Sequence, residues 1–382
     1  MRILIAAGGT GGHVYPALAV ARSLRERVPD AEFRWLGGRR GLESTIVPAE
    51  GFQYDSLLLR SLRTVDVSPH IVLDPLRLTA SVPQVAAFLA RWRPNVIFTT
   101  GGYVAIPVVT AAASLRVPSL MWEGNLVPGR SVRATARLAR ALAVSFAETC
   151  DALPGPCYVT GTPIRSFAGR DRAQARAALG IVPDVPVLFV FGGSQAVRRL
   201  NRAVAESLTQ LVSKVHVLHM TGEAGYADAL KRREKLPAEQ RPRYRPYAFL
   251  RSEMTDALIA ADLLVGRAGS STLAEASALG LPMVVVPYPH ASAHQMANAR
   301  ALAEAGAVRI VPDDEFDAAA LIEAARLLED RAALDAMCAA ARGFGRPGAA
   351  AAVAELVLAL AERTALPSPT AIERMSRAEE KS

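Results

Sequence analysis

After a short apolar run, Ile3-Leu4-Ile5-Ala6-Ala7, the chain reads Gly8-Gly9-Thr10-Gly11-Gly12-His13, followed by an apolar stripe at helical spacing, Ala17, Leu18, Ala21 and Leu24. Strand, glycine turn and helix together open a parallel α/β sheet, which presents its ligand loop at the carboxyl end of the strand. Glycines this dense exceed what a tight turn requires. They let backbone N–H groups approach an anion at a helix N-terminus, and Pro16 fits the first turn of that helix. Two familiar phosphate loops match poorly. No Lys-Ser or Lys-Thr closes the loop as in a P-loop, and Val14 stands where a dinucleotide fingerprint needs Gly or Ala. Nor does the second strand end in an acidic residue to hold a ribose, since Trp35-Leu36 runs into Gly37-Gly38.

The strand-then-helix rhythm recurs at 33–36, 96–99 and 119–122, and again at 187–191, 215–220, 263–265, 283–286 and 308–311. Two of these strands run into further glycine turns, Thr100-Gly101-Gly102-Tyr103 and Gly192-Gly193-Ser194-Gln195. With 382 residues the chain exceeds what one core usually organises. The expected fold is therefore α/β, with two doubly wound, Rossmann-like domains facing each other across a cleft lined by backbone donors. Residues 1–162 form the first domain and 163–345 the second. A helix over 346–363 returns to the first domain, and a polar, frayed tail occupies 364–382.

Lys plus Arg number 44 against 36 Asp plus Glu, a formal +8 that favours an anionic partner. The basic residues are scattered and no nucleic-acid signature is present, which argues against nucleic acid. Cys150, Cys157 and Cys338 lack both CxxC spacing and the even count of a disulfide framework, fitting a reducing compartment. No uninterrupted apolar stretch approaches the roughly 20 residues of a spanning helix, so membrane contact is expected to be peripheral. Between Leu57 and Trp92, leucines mixed with Arg60, Arg63, Arg77 and Arg91 suit either an anionic bilayer surface or amphipathic helices packed on the sheet.

In combination these loops resemble the MurG family, family 28 of the GT-B glycosyltransferases, over about residues 1–360. The family's GGTGGH loop stands at 8–13, its GGY loop at 101–103 and its GGSQ loop at 192–195. Its donor signature matches Arg267-Ala268-Gly269-Ser270-Ser271-Thr272-Leu273-Ala274-Glu275, then Gly280-Leu281-Pro282 and 290–298. The resemblance implies inverting transfer of N-acetylglucosamine from UDP-GlcNAc to the muramyl sugar of lipid I, without metal or cofactor. The product would be lipid II for peptidoglycan synthesis, made peripherally at the cytoplasmic face of the cell membrane. Implied partners are UDP-GlcNAc, lipid I, the anionic membrane surface and cell-wall synthesis proteins. Donor contacts are implied at Thr10, Gly11, Gly12, Asn125, Arg165, Ser194, Leu250, Ser270, Ser271, Thr272, Leu273, Ala274, Glu275 and Gln295. The chain departs from the family at Trp122-Glu123-Gly124-Asn125, where His-Glu-Gln-Asn is usual, and at Ala196, where glycine is usual. The first departure falls on the acceptor side.

Arg165 can pair with phosphate as a planar cation, or be a solvated linker residue. Ser194 and the 270–272 hydroxyls suit a diphosphate where helices begin, or serve as N-caps. Glu275 can accept from ribose hydroxyls, or complete a capping box with Thr272. Gln295 offers a donor and an acceptor to sugar hydroxyls. Asp313-Asp314 reads as a helix start. Inverting transfer needs a base for the incoming hydroxyl. His13 is the first candidate, because histidine ordinarily titrates near neutral pH, and Glu123 is the second. Alternative functions on the same fold are a glycolipid or small-aglycone glycosyltransferase, a UDP-sugar epimerase, or a catalytically idle sugar-nucleotide-binding protein.

Overall fold

The computed structural model describes residues 1–39, 41–59, 70–182, 184–192, 198–251, 253–289 and 294–378, without the side chains of 70–76. The chain divides into two compact units, Met1–Ser166 with Arg346–Glu380, and Phe167–Gly345.

In unit 1 the strands are β1 (Arg2–Ala6), β2 (Glu32–Gly38), β3 (Gln53–Leu57), β4 (Val96–Thr99), β5 (Ser119–Glu123), β6 (Ala141–Val144) and β7 (Cys157–Val159). Between them run α1 (Gly11–Arg27), α2 (Glu43–Ala49), α3 (His70–Trp92), α4 (Gly102–Ser114) and α5 (Arg130–Thr135). All strands are parallel in the order β3-β2-β1-β4-β5-β6-β7, with Ile3 opposite Val96 and Ala6 opposite Thr99. The central strands are apolar on both faces because helices cover both. On one face Ile3, Ile5 and Phe98 pack with α1, and on the other Leu4, Ala6 and Ile97 pack with α3 and α4.

Unit 2 repeats the plan. Its elements are α6 (Arg172–Ala178), β8 (Val187–Phe191), α7 (Arg198–Val212), β9 (His216–Met220), α8 (Glu223–Glu234), β10 (Tyr244–Tyr247) and α9 (Met254–Ala260). There follow β11 (Leu263–Gly266), α10 (Ser270–Leu279), β12 (Met283–Val285), α11 (His294–Glu304), β13 (Val308–Ile310), α12 (Ala318–Ala325) and α13 (Arg331–Phe344). The sheet is again parallel, ordered β10-β9-β8-β11-β12-β13.

The chain then re-enters unit 1 through α14 (Ala349–Glu362), which packs on α1, β4 and β5. The stretch Arg331–Glu362 is long and apolar enough to cross a membrane by length and composition alone, yet charged residues interrupt it, as the sequence reading has it, and 67% of its most apolar window is buried. It breaks after α13, burying Leu334 and Met337 in unit 2, and Val353 and Val357 in unit 1. The frayed tail is corrected, since Pro369–Arg377 forms α15. Ser368 caps that helix by accepting from Ala371 N, Ile372 and Ser376 are wholly buried, and Glu373 pairs with Arg346 at 3.1 Å. Polar composition hid this, because one turn of apolar contact anchors an otherwise solvated helix. Ile372→Ala should therefore destabilise unit 1 by about 2–4 kcal/mol, read from the urea midpoint of tryptophan fluorescence.

One further reading changes. Cys150 and Cys157, read as free thiols, are joined by a disulfide, their Cα atoms 5.7 Å apart across the turn leading into β7, while Cys338 is free. In the 57–92 segment, Arg60, Arg63 and the rest of 60–69 lie outside the described residues. The described remainder buries Leu59, Val85 and Leu89 against the sheet, as amphipathic helices do, and exposes Leu58.

Candidate active site

Each sheet reverses its strand order once, between β1 and β4 in unit 1 and between β8 and β11 in unit 2. Loops leaving the carboxyl ends of adjacent strands diverge there and open a crevice. The glycine turns at 8–13 and 100–103 follow β1 and β4 and lie at the first of these places.

In unit 1 the loop after β1 enters α1 with Thr10 as an extended N-cap that makes no side-chain cap bond. The first-turn amides at Gly11 and Gly12 therefore face outward, and Thr10 and Gly12 are exposed. Pro16 sits beyond the first turn expected for it, because the helix already begins at Gly11. Lacking an N–H, it leaves the Gly12 carbonyl without its helical donor.

His13 is fixed from the second glycine turn. Its Nδ1 lies 2.7 Å from the Thr100 carbonyl, and Thr100 Oγ1 donates to the His13 carbonyl at 3.0 Å. A carbonyl only accepts, so Nδ1 carries the hydrogen, and Nε2 of the neutral ring is left as an acceptor. Gly102, at φ +71°, admits the ring: a Cβ there would stand 3.4 Å from His13 Cδ2 and 3.4 Å from the Gly8 carbonyl oxygen.

Glu123 closes β5 with only 5% exposure. Its Oε1 accepts from Asn125 N and Nδ2, both at 2.9 Å, and its Oε2 accepts from Gly129 N at 2.7 Å. This carboxylate is committed to holding the 123–129 loop, which argues against Glu123 as the alternative base. Thr149 Oγ1 ties the same loop down by donating to the carbonyls of Asn125 and Leu126. Trp122 is buried in the core cluster shared with α14, and its Nε1 donates to the Gly161 carbonyl at 3.0 Å. This departure from the family pattern thus serves packing within the sheet layer. Arg165 is half-buried and already engaged within the fold.

In unit 2, Ser194 and the rest of 193–197 lie outside the described residues. Helix α10 starts at Ser270 with Gly269 as N-cap and no side-chain cap bond, so its first amides are open to an anion. Ser270, Ser271, Thr272 and Ala274 are partly exposed, while Leu273 and Glu275 are buried. Thr272 lies inside the first turn, so it forms no capping box with Glu275, whose buried side chain is nonetheless engaged within the fold. Leu250 is buried at 4% exposure in the segment after β10. Gln295 Oε1 accepts from Tyr288 N at 2.9 Å.

Asp313 is not a helix start, because α12 is capped by Asp317. Instead Asp313 bonds the buried Arg267, which also donates to the Val286 carbonyl, and it pairs with Arg199 at 3.2 Å. Arg267 in turn lies 5.3 Å from the centre of the Tyr288 ring. Asp313, Arg267 and Tyr288 thus buttress the segment carrying Gln295. Nothing in the sequence marks Asp313 and Thr100 as supports. Thr100 stands out only by its place before a glycine turn, and Asp313 pairs across a separation of 46 residues that no local pattern reveals.

Two such sheets, each with a glycine-rich turn or an uncapped helix N-terminus at its switch point, are the plan of the GT-B fold of glycosyltransferases. The chain matches the glycosyltransferase family 28 N-terminal domain over residues 3–144 and the C-terminal domain over 187–353. It belongs to that family. It is 39% identical to the UDP-N-acetylglucosamine–N-acetylmuramyl-(pentapeptide) pyrophosphoryl-undecaprenol N-acetylglucosamine transferase of Moorella thermoacetica, over 95% of this chain and 100% of the relative. The enzyme of the same name from Listeria monocytogenes is 35% identical, over 94% and 99%. Among solved structures, Acinetobacter baumannii MurG aligns with TM-score 0.73 and 25% identity over 94% of this chain and 99% of that one.

Proposed function

We propose that this enzyme transfers N-acetylglucosamine from UDP-GlcNAc to the muramyl sugar of lipid I, giving lipid II. The observation that carries this reading is the end-to-end similarity to transferases of that name. The alternative readings, an epimerase or a small-aglycone transferase, rest on a likeness of fold alone, at 15% and 18% sequence identity.

The geometry suggests a division of labour. The open N-terminus of α10, with the hydroxyls of Ser270, Ser271 and Thr272, would receive the diphosphate and stabilise the departing UDP. Glu275 would accept from the ribose hydroxyls, and Gln295, held by Tyr288 N, would keep its amide N–H for the sugar. Thr10, Gly11, Gly12, Asn125, Arg165, Ser194 and Leu250 complete the donor set by family resemblance. His13 Nε2 would take the proton from the acceptor hydroxyl as its oxygen bonds to the anomeric carbon and the bond to UDP breaks, with inversion. Peripheral attachment to an anionic membrane at the cytoplasmic face is part of the proposal and rests on the basic, leucine-rich composition of 57–92.

The test is a radiolabelled UDP-GlcNAc assay with purified lipid I: label should appear in lipid II, and release of free sugar or epimer alone would remove the reading. Glu275→Ala should raise KM for UDP-GlcNAc by on the order of ten-fold or more, because ribose hydroxyls lose a buried acceptor. An unchanged KM would take Glu275 out of the donor site.

A further inference from the structure

Neither the sequence patterns nor the family resemblance marked Glu43, yet its carboxylate lies wholly buried at the start of α2, between the crest of the first glycine loop and the end of β2. Oε2 accepts from Gly9 N at 2.9 Å, and Oε1 accepts from Gly38 N at 2.9 Å and from Tyr103 Oη at 3.2 Å. The glycines around it are what make room. A Cβ on Gly8 would fall 2.4 Å from Oε1, and one on Gly37 would fall 2.7 Å from Cγ. Gly9 itself holds φ +100°, a conformation that side chains other than glycine's rarely allow.

These bonds have a functional consequence. The carboxyl end of β2 is where an open sheet of this type would hold a ribose with an acidic side chain. Here the acid comes from α2, folds back, and is consumed by the protein's own donors. Glu43 joins the loop that ends in His13 to the turn that carries Tyr103, while His13 and Thr100 join the same two segments at the other end. The two glycine turns are thereby clamped at both ends.

We propose that Glu43 is a positioning residue for the transfer: it sets Gly9 and Tyr103, and through them holds His13 in its working place. The proposal rests on the transferase reading of the site and on His13 as its base. Among the described residues, the three groups bonded to the carboxylate are all donors, so Glu43→Gln turns an amide N–H against one of them while nearly conserving volume. In the full chain this variant should lower kcat about 10-fold or more and leave KM for UDP-GlcNAc within about two-fold, because small displacements of reacting groups are costly. A carboxylate that merely stitched the sheet together would not produce such a split.

Two measurements isolate the mechanism. In a His13→Ala background, Glu43→Gln should lower kcat little further, whereas independent losses would multiply. Hydrogen exchange at the amides of residues 9–13 should quicken in Glu43→Gln, a readout that needs no acceptor. Normal kcat in folded Glu43→Gln, multiplicative losses with His13→Ala, or unchanged exchange in the loop would each overturn the proposal. A wild-type enzyme without transfer to lipid I would remove the transferase reading instead, leaving the exchange result to decide the positioning role. Should Glu43→Gln not fold, Tyr103→Phe carries the same cycle, since it removes one of the three donors and keeps both backbone bonds.

Discussion

Replacing His13 with alanine is expected to lower kcat for transfer by on the order of 100-fold or more while UDP affinity stays near that of the wild type. The expectation follows from the hydrogen bond that fixes the ring. Nδ1 donates to the Thr100 carbonyl, so the neutral tautomer presents an unprotonated Nε2, which an incoming hydroxyl needs. The competing candidate, Glu123, already accepts from three N–H groups of its own loop. His13→Asn sharpens the test, because an asparagine amide can still donate to Thr100 and keep the two turns together, yet it has no basic nitrogen. It should retain the unfolding midpoint and lose kcat as fully as alanine does. If His13→Asn turns over at near-wild-type rate, or if either variant loses only donor affinity, His13 orients substrate and takes no proton.

The sequence was informative where backbone conformation demanded particular residues. The turn at 8–13 announced itself because close approach at a strand end requires glycine, and the central strands because burial on both faces makes them uniformly apolar. Three of the strands that escaped notice, β3, β7 and β10, lie at sheet edges, where one side is solvated and the pattern is mixed. Pro246 within β10 is tolerated for the same reason. The fourth, β6, is a run of four residues preceded by arginines and alanines that also suit a helix. Within the site, donors and acceptors that point outward were legible as types. Their supports were not: Glu43, Thr100 and Asp313 act on partners 34, 87 and 46 residues away. Such pairings depend on which loops the sheet order brings side by side. The capping-box reading of Thr272 and Glu275 failed for a related reason, since Gly269 starts the helix three residues early.

Acid should unfold unit 2 before unit 1, and the reason is two buried histidines in β9. His219 is enclosed between Tyr244 Oη at 2.9 Å from Nδ1 and Asn201 Oδ1 at 3.0 Å from Nε2. Asn201 directs its own Nδ2 to the Thr221 carbonyl, so its Oδ1 must accept, and His219 is the neutral Nε2–H tautomer. Burial pushes its pKa down to about 3. Burial, helped by Arg243, Arg245 and Arg176, lowers that of His216 to about 4. Both folded values lie below the ordinary 6.5, so the unfolded chain takes up protons first. The neutral-state advantage is complete above pH 6.5 and is lost as pH falls towards 4 and then 3. Each histidine contributes a loss of about 1.4 kcal/mol per pH unit within its window. The three tryptophans, Trp35, Trp92 and Trp122, all belong to unit 1, so their fluorescence follows that unit alone, while far-ultraviolet circular dichroism follows both. In urea titrations from pH 7 to 4, the dichroism curve should therefore develop an early transition that the fluorescence curve lacks. His216→Leu should make that transition about half as sensitive to pH. Coincident curves at every pH, or a pH dependence unchanged in His216→Leu and His219→Gln alike, would show that these histidines do not govern the acid limit of unit 2.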